Sequence, residues 1–440
     1  MLQPKYYTLT NGLPVIIDSL PGFESVTIGV YIKNGSRNES DPRLFGISHL
    51  LEHMAFKGTT TRDAREITMS IENIGGAINA YTSHNSTAYF ATVPVQHKNL
   101  AMDILSDILL HPTFPEAELE KEKCVIAQEI KMYQDMPDAI LEMNANNSIF
   151  RGGMQHDIAG TIDSVTGITR DDLIKYFHAH YTSKKSVIVI SGGQLEDTES
   201  ILADLEIRSK EWRGEPAPAY EHSTYVTALS HTSKPDLSHS YFKIIWPTQA
   251  SKCCCNLNDF RMFLFAFGAG WGSRLFQEIR EKLALAYSIG AYSTAFEDIG
   301  IATVEGQTDE KNLDAAIRAV AELCKEIRLK KAPISDAEIS RAKEMIKGGI
   351  VMGLESTGRR ADFFASRYML YGKLDNMKDF MRKIDMLPNE RINECARKML
   401  SCAPSIITLG TQKELPLAEW QNLFSAQPHS EPHGGCYFCD

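Results

Sequence analysis

Residues 89–109 read YFATVPVQHKNLAMDILSDIL, and residues 300–323 read GIATVEGQTDEKNLDAAIRAVAEL. The two stretches echo one another: Ala91-Thr92-Val93 answers Ala302-Thr303-Val304, and Lys98-Asn99-Leu100 answers Lys311-Asn312-Leu313. Each opens as an extended segment and continues as an amphipathic helix. In the first copy Leu100, Ile104, Leu105 and Ile108 fall at the spacing of one helical face. A further helix follows in both, FPEAELEKEKCVIAQEI at 114–130 and ISDAEISRAKEMIKGGI at 334–350. Self-similarity at this scale predicts a duplicated α+β unit, each copy an antiparallel sheet with helices packed on one face. The flanking sequence agrees. The opening MLQPKYYTLTNGLPVIID reads as strand, turn at Asn11-Gly12, strand. Ile67, Ile71 and Ile74 mark a helix before Gly75-Gly76, and Asn79–Ser83 and Thr87–Val93 alternate as paired strands.

A chain of 440 residues exceeds one ordinary core. The duplication places a first domain at 1–212 and a second at 239–424. A polar linker at 213–238 carries Arg213-Gly214-Glu215-Pro216-Ala217-Pro218, and 425–440 reads as a flexible tail. Within that tail His429, His433, Cys436 and Cys439 offer a weak soft-metal pattern. The net charge of −10 argues against nucleic acid, whose phosphates call for a basic face, and suits a cationic peptide. No run reaches the roughly 18 apolar residues of a membrane span. The N-terminus has no basic-plus-apolar signal region, so the chain is expected to stay in the cytoplasm or an equivalent compartment. Nine cysteines, three of them adjacent at Cys253-Cys254-Cys255, read as reduced thiols rather than a disulfide framework. No GxSxG elbow occurs, and the glycine-rich FGAGWGS lacks the lysine of a phosphate-binding loop.

The chemistry concentrates in His49-Leu50-Leu51-Glu52-His53. On a helix, positions i and i+4 stack, so His49 and His53 are spaced to share one Zn²⁺, with Glu52 in reach of a water beside it. The order HxxEH inverts that of the HExxH zincins. A catalytic zinc takes a third protein ligand from another element. Glu122 and Glu129 stand two turns apart on one helix, with Val125 and Ile126 between them. In the second copy their places hold Ala342 and Gly349, and the HxxEH helix has no counterpart. The scaffold therefore tolerates loss of these acids, which favours a functional role for them in the first half.

With these residues in place, the chain resembles the inverzincin peptidases of the pitrilysin/insulinase clan. GISHLLEHMAFKGT at 46–59 is similar above all to the catalytic subunit of mitochondrial processing peptidase and its bacterial relatives. The resemblance extends through GGAINAYTSHNSTAYF, SRLFQEIREKLALAYS and GLESTGRRADFFASRYMLYG, and so over most of the chain. It implies a clam-shell of two homologous halves and one Zn²⁺ per chain, held by His49, His53 and Glu129. It implies Glu52 as general base, Glu122 as the acid supporting a ligand, and Asn79, Ala80 and Tyr81 on a strand that pairs with an extended peptide. Arg280 and Tyr287 match a pair that serves the active site from the other half, and Glu142 matches an acid that reads an arginine near the cut. In this family chains of this length pair, one supplying the metal and its partner the Arg/Tyr pair. This chain carries both, which implies a homodimer or pairing with a homologous subunit. The implied activity is metalloendopeptidase cleavage of unstructured basic or presequence-like peptides. The alternatives are a non-catalytic scaffold subunit and the catalytic subunit of a heterodimer. The sequence departs from the family at Asn85 and Asn146, where relatives carry acids, and in the short Gly268–Gly272 stretch.

Overall fold

A computed structural model describes residues 3–212, 220–251, 257–374 and 376–425. The chain divides into two compact units, each α+β. One comprises Met1–Met132, His156–Glu221 and Val351–Met377; the other comprises Tyr133–Gln155, His222–Ile350 and Lys378–Asp440.

The first unit is built on strands β1 (Lys5–Thr8), β2 (Pro14–Ser19), β3 (Ser25–Ile32), β4 (Ala77–Thr82), β5 (Thr87–Pro94) and β6 (Ser186–Gly192). They lie in the order β1-β2-β6-β3-β5-β4. Alternation sorts the side chains: Val15, Ile17, Ile188 and Ile190 enter one core, while Ile16, Val187 and Val189 enter another on the opposite face. The first core is closed by helices α1 (Ile47–Ala55), α2 (Ala64–Glu72), α3 (Lys98–Leu110) and α4 (Glu116–Asp135), through Leu50, Ile71, Ile104 and Ile126 among others. Asn11-Gly12 makes the turn between β1 and β2, Gly12 taking the left-handed φ of 82° that only glycine adopts at little cost.

The second unit contains α5 (Pro137–Ile149), β7 (Leu229–Ser233), β8 (Ser240–Thr248), β9 (Ser288–Ala295), β10 (Gly300–Thr308), α6 (Leu313–Arg328), α7 (Asp336–Gly353) and β11 (Ser405–Gly410). Its sheet runs β9-β10-β8-β11-β7. Strand for strand this repeats β4-β5-β3-β6-β2, so the duplication read from residues 89–109 and 300–323 is a duplication of topology. The echoing Ala-Thr-Val triplets sit on the matched strands β5 and β10.

Two details differ from the expected antiparallel sheet with helices on one face. Both sheets are mixed, because β2 pairs parallel with β6 and β7 pairs parallel with β11. Helices also cover both faces. Helix α8 (Thr357–Tyr371) lies on the far face of the first sheet, where Ala361, Phe364 and Ala365 meet Ile16, Tyr31, Ala88 and Val187. In the second unit α5 packs Ile140 and Leu141 with Ile245, Ile407 and Leu409. Each unit thus contains a helix from the opposite half of the sequence. Of the expected linker, 213–219 lies outside the described residues, and 220–238 holds the edge strand β7. Cys253-Cys254-Cys255 and 426–440, with the histidine–cysteine pattern of the tail, also lie outside them. Cys124, Cys324, Cys395 and Cys402 are free thiols. No helix among the described residues is long and apolar enough to cross a membrane.

Candidate metal centre

The HxxEH segment is α1, and its start is fixed by a buried carboxylate. Glu39 Oε2 accepts from the backbone N–H of Gly46 at 2.7 Å, and Oε1 accepts from that of Ser48 at 2.9 Å. These bonds satisfy donors that a helix N-terminus leaves unpaired and set a negative charge against the helix dipole. His156 Nε2 lies 3.1 Å from the same carboxylate. Gly46 takes φ 92°, and a Cβ there would stand 2.5 Å from the Ala159 carbonyl oxygen, so only glycine admits this entry into the helix. Leu50, Leu51 and Met54 bury themselves in the core, which leaves His49, Glu52 and His53 on the remaining face.

Helix α4 crosses this face with its two acids. His49 Nε2 and His53 Nε2 each lie 3.8 Å from Glu129 Oε2, and the three donor atoms all fall within 4.8 Å of one another. Three donors this close, two imidazole nitrogens and a carboxylate oxygen, could converge on one small cation. Glu122 Oε2 lies 3.0 Å from His53 Nδ1, and Lys57 Nζ is 2.7 Å from Glu122 Oε1. With Nδ1–H donating to that carboxylate, the Nε2 lone pair is left facing Glu129, the arrangement that orients ligating histidines. Val125, between the two acids in sequence, points outward, whereas Ile126 is buried.

Electrostatics suits the same use. Burial lowers the pKa of His49 to about 4, helped by neighbouring His53 and opposed by Glu129, so its ring is neutral and free to donate a lone pair. Burial pulls His53 down as well, but the hydrogen bond to Glu122 and the charges of Glu52, Glu122 and Glu129 outweigh it and raise the net value. Desolvation pushes Glu122 up, and the bonds from His53 and Lys57 bring it below the usual carboxylate range. Glu52 is raised, chiefly by desolvation, against a hydrogen bond from Thr82 and the attraction of His53. A neutral imidazole, an oriented second imidazole and a carboxylate make a donor set of the chemistry zinc takes.

Two family models match the chain, Insulinase (Peptidase family M16) over residues 14–161 and Peptidase M16 inactive domain over residues 167–346. The uncharacterized zinc protease YmxG of Bacillus subtilis (strain 168) is 34% identical over 408 residues, covering 90% of this chain and 96% of the relative. The chain belongs to peptidase family M16. An uncharacterized zinc protease of Rickettsia bellii is 32% identical, covering 91% of this chain and 96% of that one. Among solved structures, a protease from Helicobacter pylori aligns with a TM-score of 0.84 at 20% identity, covering 93% of this chain and 100% of that one. A chain of complex III from Candida albicans aligns at 0.80 and 18% identity, covering 96% and 99%. At these identities the structural likeness speaks for the M16 fold.

The other expected residues fall in two places. Asn79, Ala80 and Tyr81 lie on β4, the last strand of the first sheet, which among the described residues pairs on one side only, with β5. Asn85, at the tip of the hairpin that follows, accepts a bond from Arg37 at 2.9 Å. Arg280, Tyr287 and Glu142 belong to the second unit. The Arg280 guanidinium packs 4.6 Å from the Phe276 ring centre and 5.8 Å from that of Tyr287, a residue 70% exposed. Glu142 borders a cleft of about 370 Å³, where its carboxylate is bonded to the buried Lys243; Lys243 also reaches Tyr292 at 2.8 Å and Glu305 at 3.2 Å. The sequence did not single out Glu39, Lys57 or Thr82. Lys57 lies past the end of α1 at Ala55 and reaches Glu122 on another helix, a contact that spacing does not announce. Glu39 lies on a loop and Thr82 at the end of a strand, and each meets α1 through a single contact that no periodicity announces.

Glu122→Gln is expected to weaken zinc binding by roughly 10–100-fold, read by competition with a chelator. Unchanged affinity removes Glu122 from the centre.

Proposed function

We propose that the chain is a zinc-dependent metalloendopeptidase of the inverzincin type, acting on unstructured and preferentially basic peptides. The observation that carries this reading is the convergence of His49, His53 and Glu129 beside Glu52 within one unit. One Zn²⁺ per chain, held by those three, would lower the pKa of water and polarise a peptide carbonyl. The protein supplies the rest. Glu52 takes the proton of the attacking water and returns it to the departing amine. The β4 edge accepts the substrate as an added strand through Asn79, Ala80 and Tyr81, which selects extended chains over folded ones. Arg280 and Tyr287, on their resemblance to the family's pair, are proposed to engage the substrate, and a homodimer is the proposed assembly. Glu142 shares its charge with Lys243, so an arginine near the cut is not required by this reading.

A second reading has one observation behind it, the fold shared with a chain of complex III. A scaffold subunit, however, has no need of the intact donor set. Hydrolysis of a quenched-fluorescent basic peptide by the purified chain separates the two. Turnover that a chelator removes and zinc restores is expected. No turnover with zinc bound points to a missing homologous subunit. No turnover and no zinc sinks the peptidase and leaves the scaffold.

A further inference from the structure

Glu52 lies half-buried on α1 between Leu51 and His53, and a free carboxylate there has more than one rotamer open to it. Thr82 Oγ1 donates to its Oε2 at 2.5 Å. The donor is held from two sides. Thr82 is the last residue of β4, paired with Thr87, and as a β-branched residue it has few χ1 choices. The following hairpin is closed by Ser83 N–H to the Ser86 carbonyl at 2.8 Å and tied to the approach to α1 by Ser36 N–H to the Ser83 carbonyl at 3.2 Å.

Resting on the peptidase reading above, we propose that Thr82 is the positioning residue for Glu52. Its hydroxyl pins one carboxylate oxygen and leaves the other free for the attacking water. The same strand carries Asn79, Ala80 and Tyr81, so the group that aims the base and the edge that receives the peptide form one element.

The test uses the zinc-loaded full chain with Thr82→Val and Thr82→Ser. Valine keeps the shape and strand propensity and removes the hydroxyl; serine restores it. Zinc content is expected to stay equal in all three proteins. Thr82→Val should lower kcat by roughly tenfold with KM changed by less than about twofold, and Thr82→Ser should return kcat to near the parent. An unchanged kcat, or zinc lost together with activity, overturns the proposal. If the parent itself turns nothing over, a homologous subunit is missing where zinc is bound, and the peptidase reading falls where it is not; in either case the contact is read by unfolding. Thr82→Val should then weaken the folding equilibrium by roughly tenfold in the parent and by less than about twofold in a Glu52→Ala background. Equal effects in both backgrounds overturn it.

Discussion

Glu52→Gln is expected to leave zinc bound at the parent stoichiometry and to lower kcat by about 10²–10⁴-fold. The side chain contributes no atom to the His49–His53–Glu129 set, so its amide replacement removes a base and not a ligand. Glutamine keeps the volume and still accepts from Thr82, so the fold around α1 should be undisturbed. Metal analysis and steady-state kinetics on one preparation decide the matter. Loss of zinc in this variant would contradict the division of roles between Glu52 and its neighbours. Retained turnover would remove Glu52 as the proton carrier.

Arg360→Met is expected to destabilise the first unit by about 3–5 kcal/mol. Arg360 and Asp18 are almost fully buried, at 3% and 1% side-chain exposure, and join in two bonds, Nε to Oδ2 at 2.5 Å and Nη2 to Oδ1 at 2.8 Å. Ser191 donates to the same carboxylate at 2.7 Å. Removing the guanidinium strands a buried anion, which costs far more than the pair contributes over an apolar substitute. Pairing the change with Asp18→Leu should therefore recover much of the loss. Denaturant unfolding, with hydrogen exchange followed in β2 and β6, reads both variants. A single variant within about 1 kcal/mol of the parent would show that the pair does not hold α8 to its sheet.

Much of this arrangement is legible in the sequence, for identifiable reasons. The duplication shows because β5 with α3, and β10 with α6, keep the same strand-to-helix transition and the same residues at it. The metal set shows because its spacings are local, i and i+4 on α1 and i and i+7 on α4. It shows also because Ala342 and Gly349 mark where the second copy dispenses with the acids. What is not legible is long-range. Alternation is the same in parallel and antiparallel strands, so nothing in Val15-Ile16-Ile17 announces the parallel pairing with β6. Asp18 and Arg360 stand 342 positions apart, and neither segment names the other. The cap by Glu39 and the bond from Thr82 are single contacts with no repeat behind them, which is why the residues around the candidate metal set are harder to read than the set itself.

The placement of α8 also sets a schedule. Ile16, Tyr31, Ala88 and Val187 are synthesised early, yet the helix that covers them begins at Thr357, after more than four fifths of the chain has been made. On a ribosome the first sheet would close one face promptly and leave the other wet until nearly the end of translation. An apolar sheet face held open that long invites self-association or a chaperone's attention. Premature termination anywhere between the two halves would release a product that carries His49, Glu52, His53 and Glu129 and whose sheet lacks its cover.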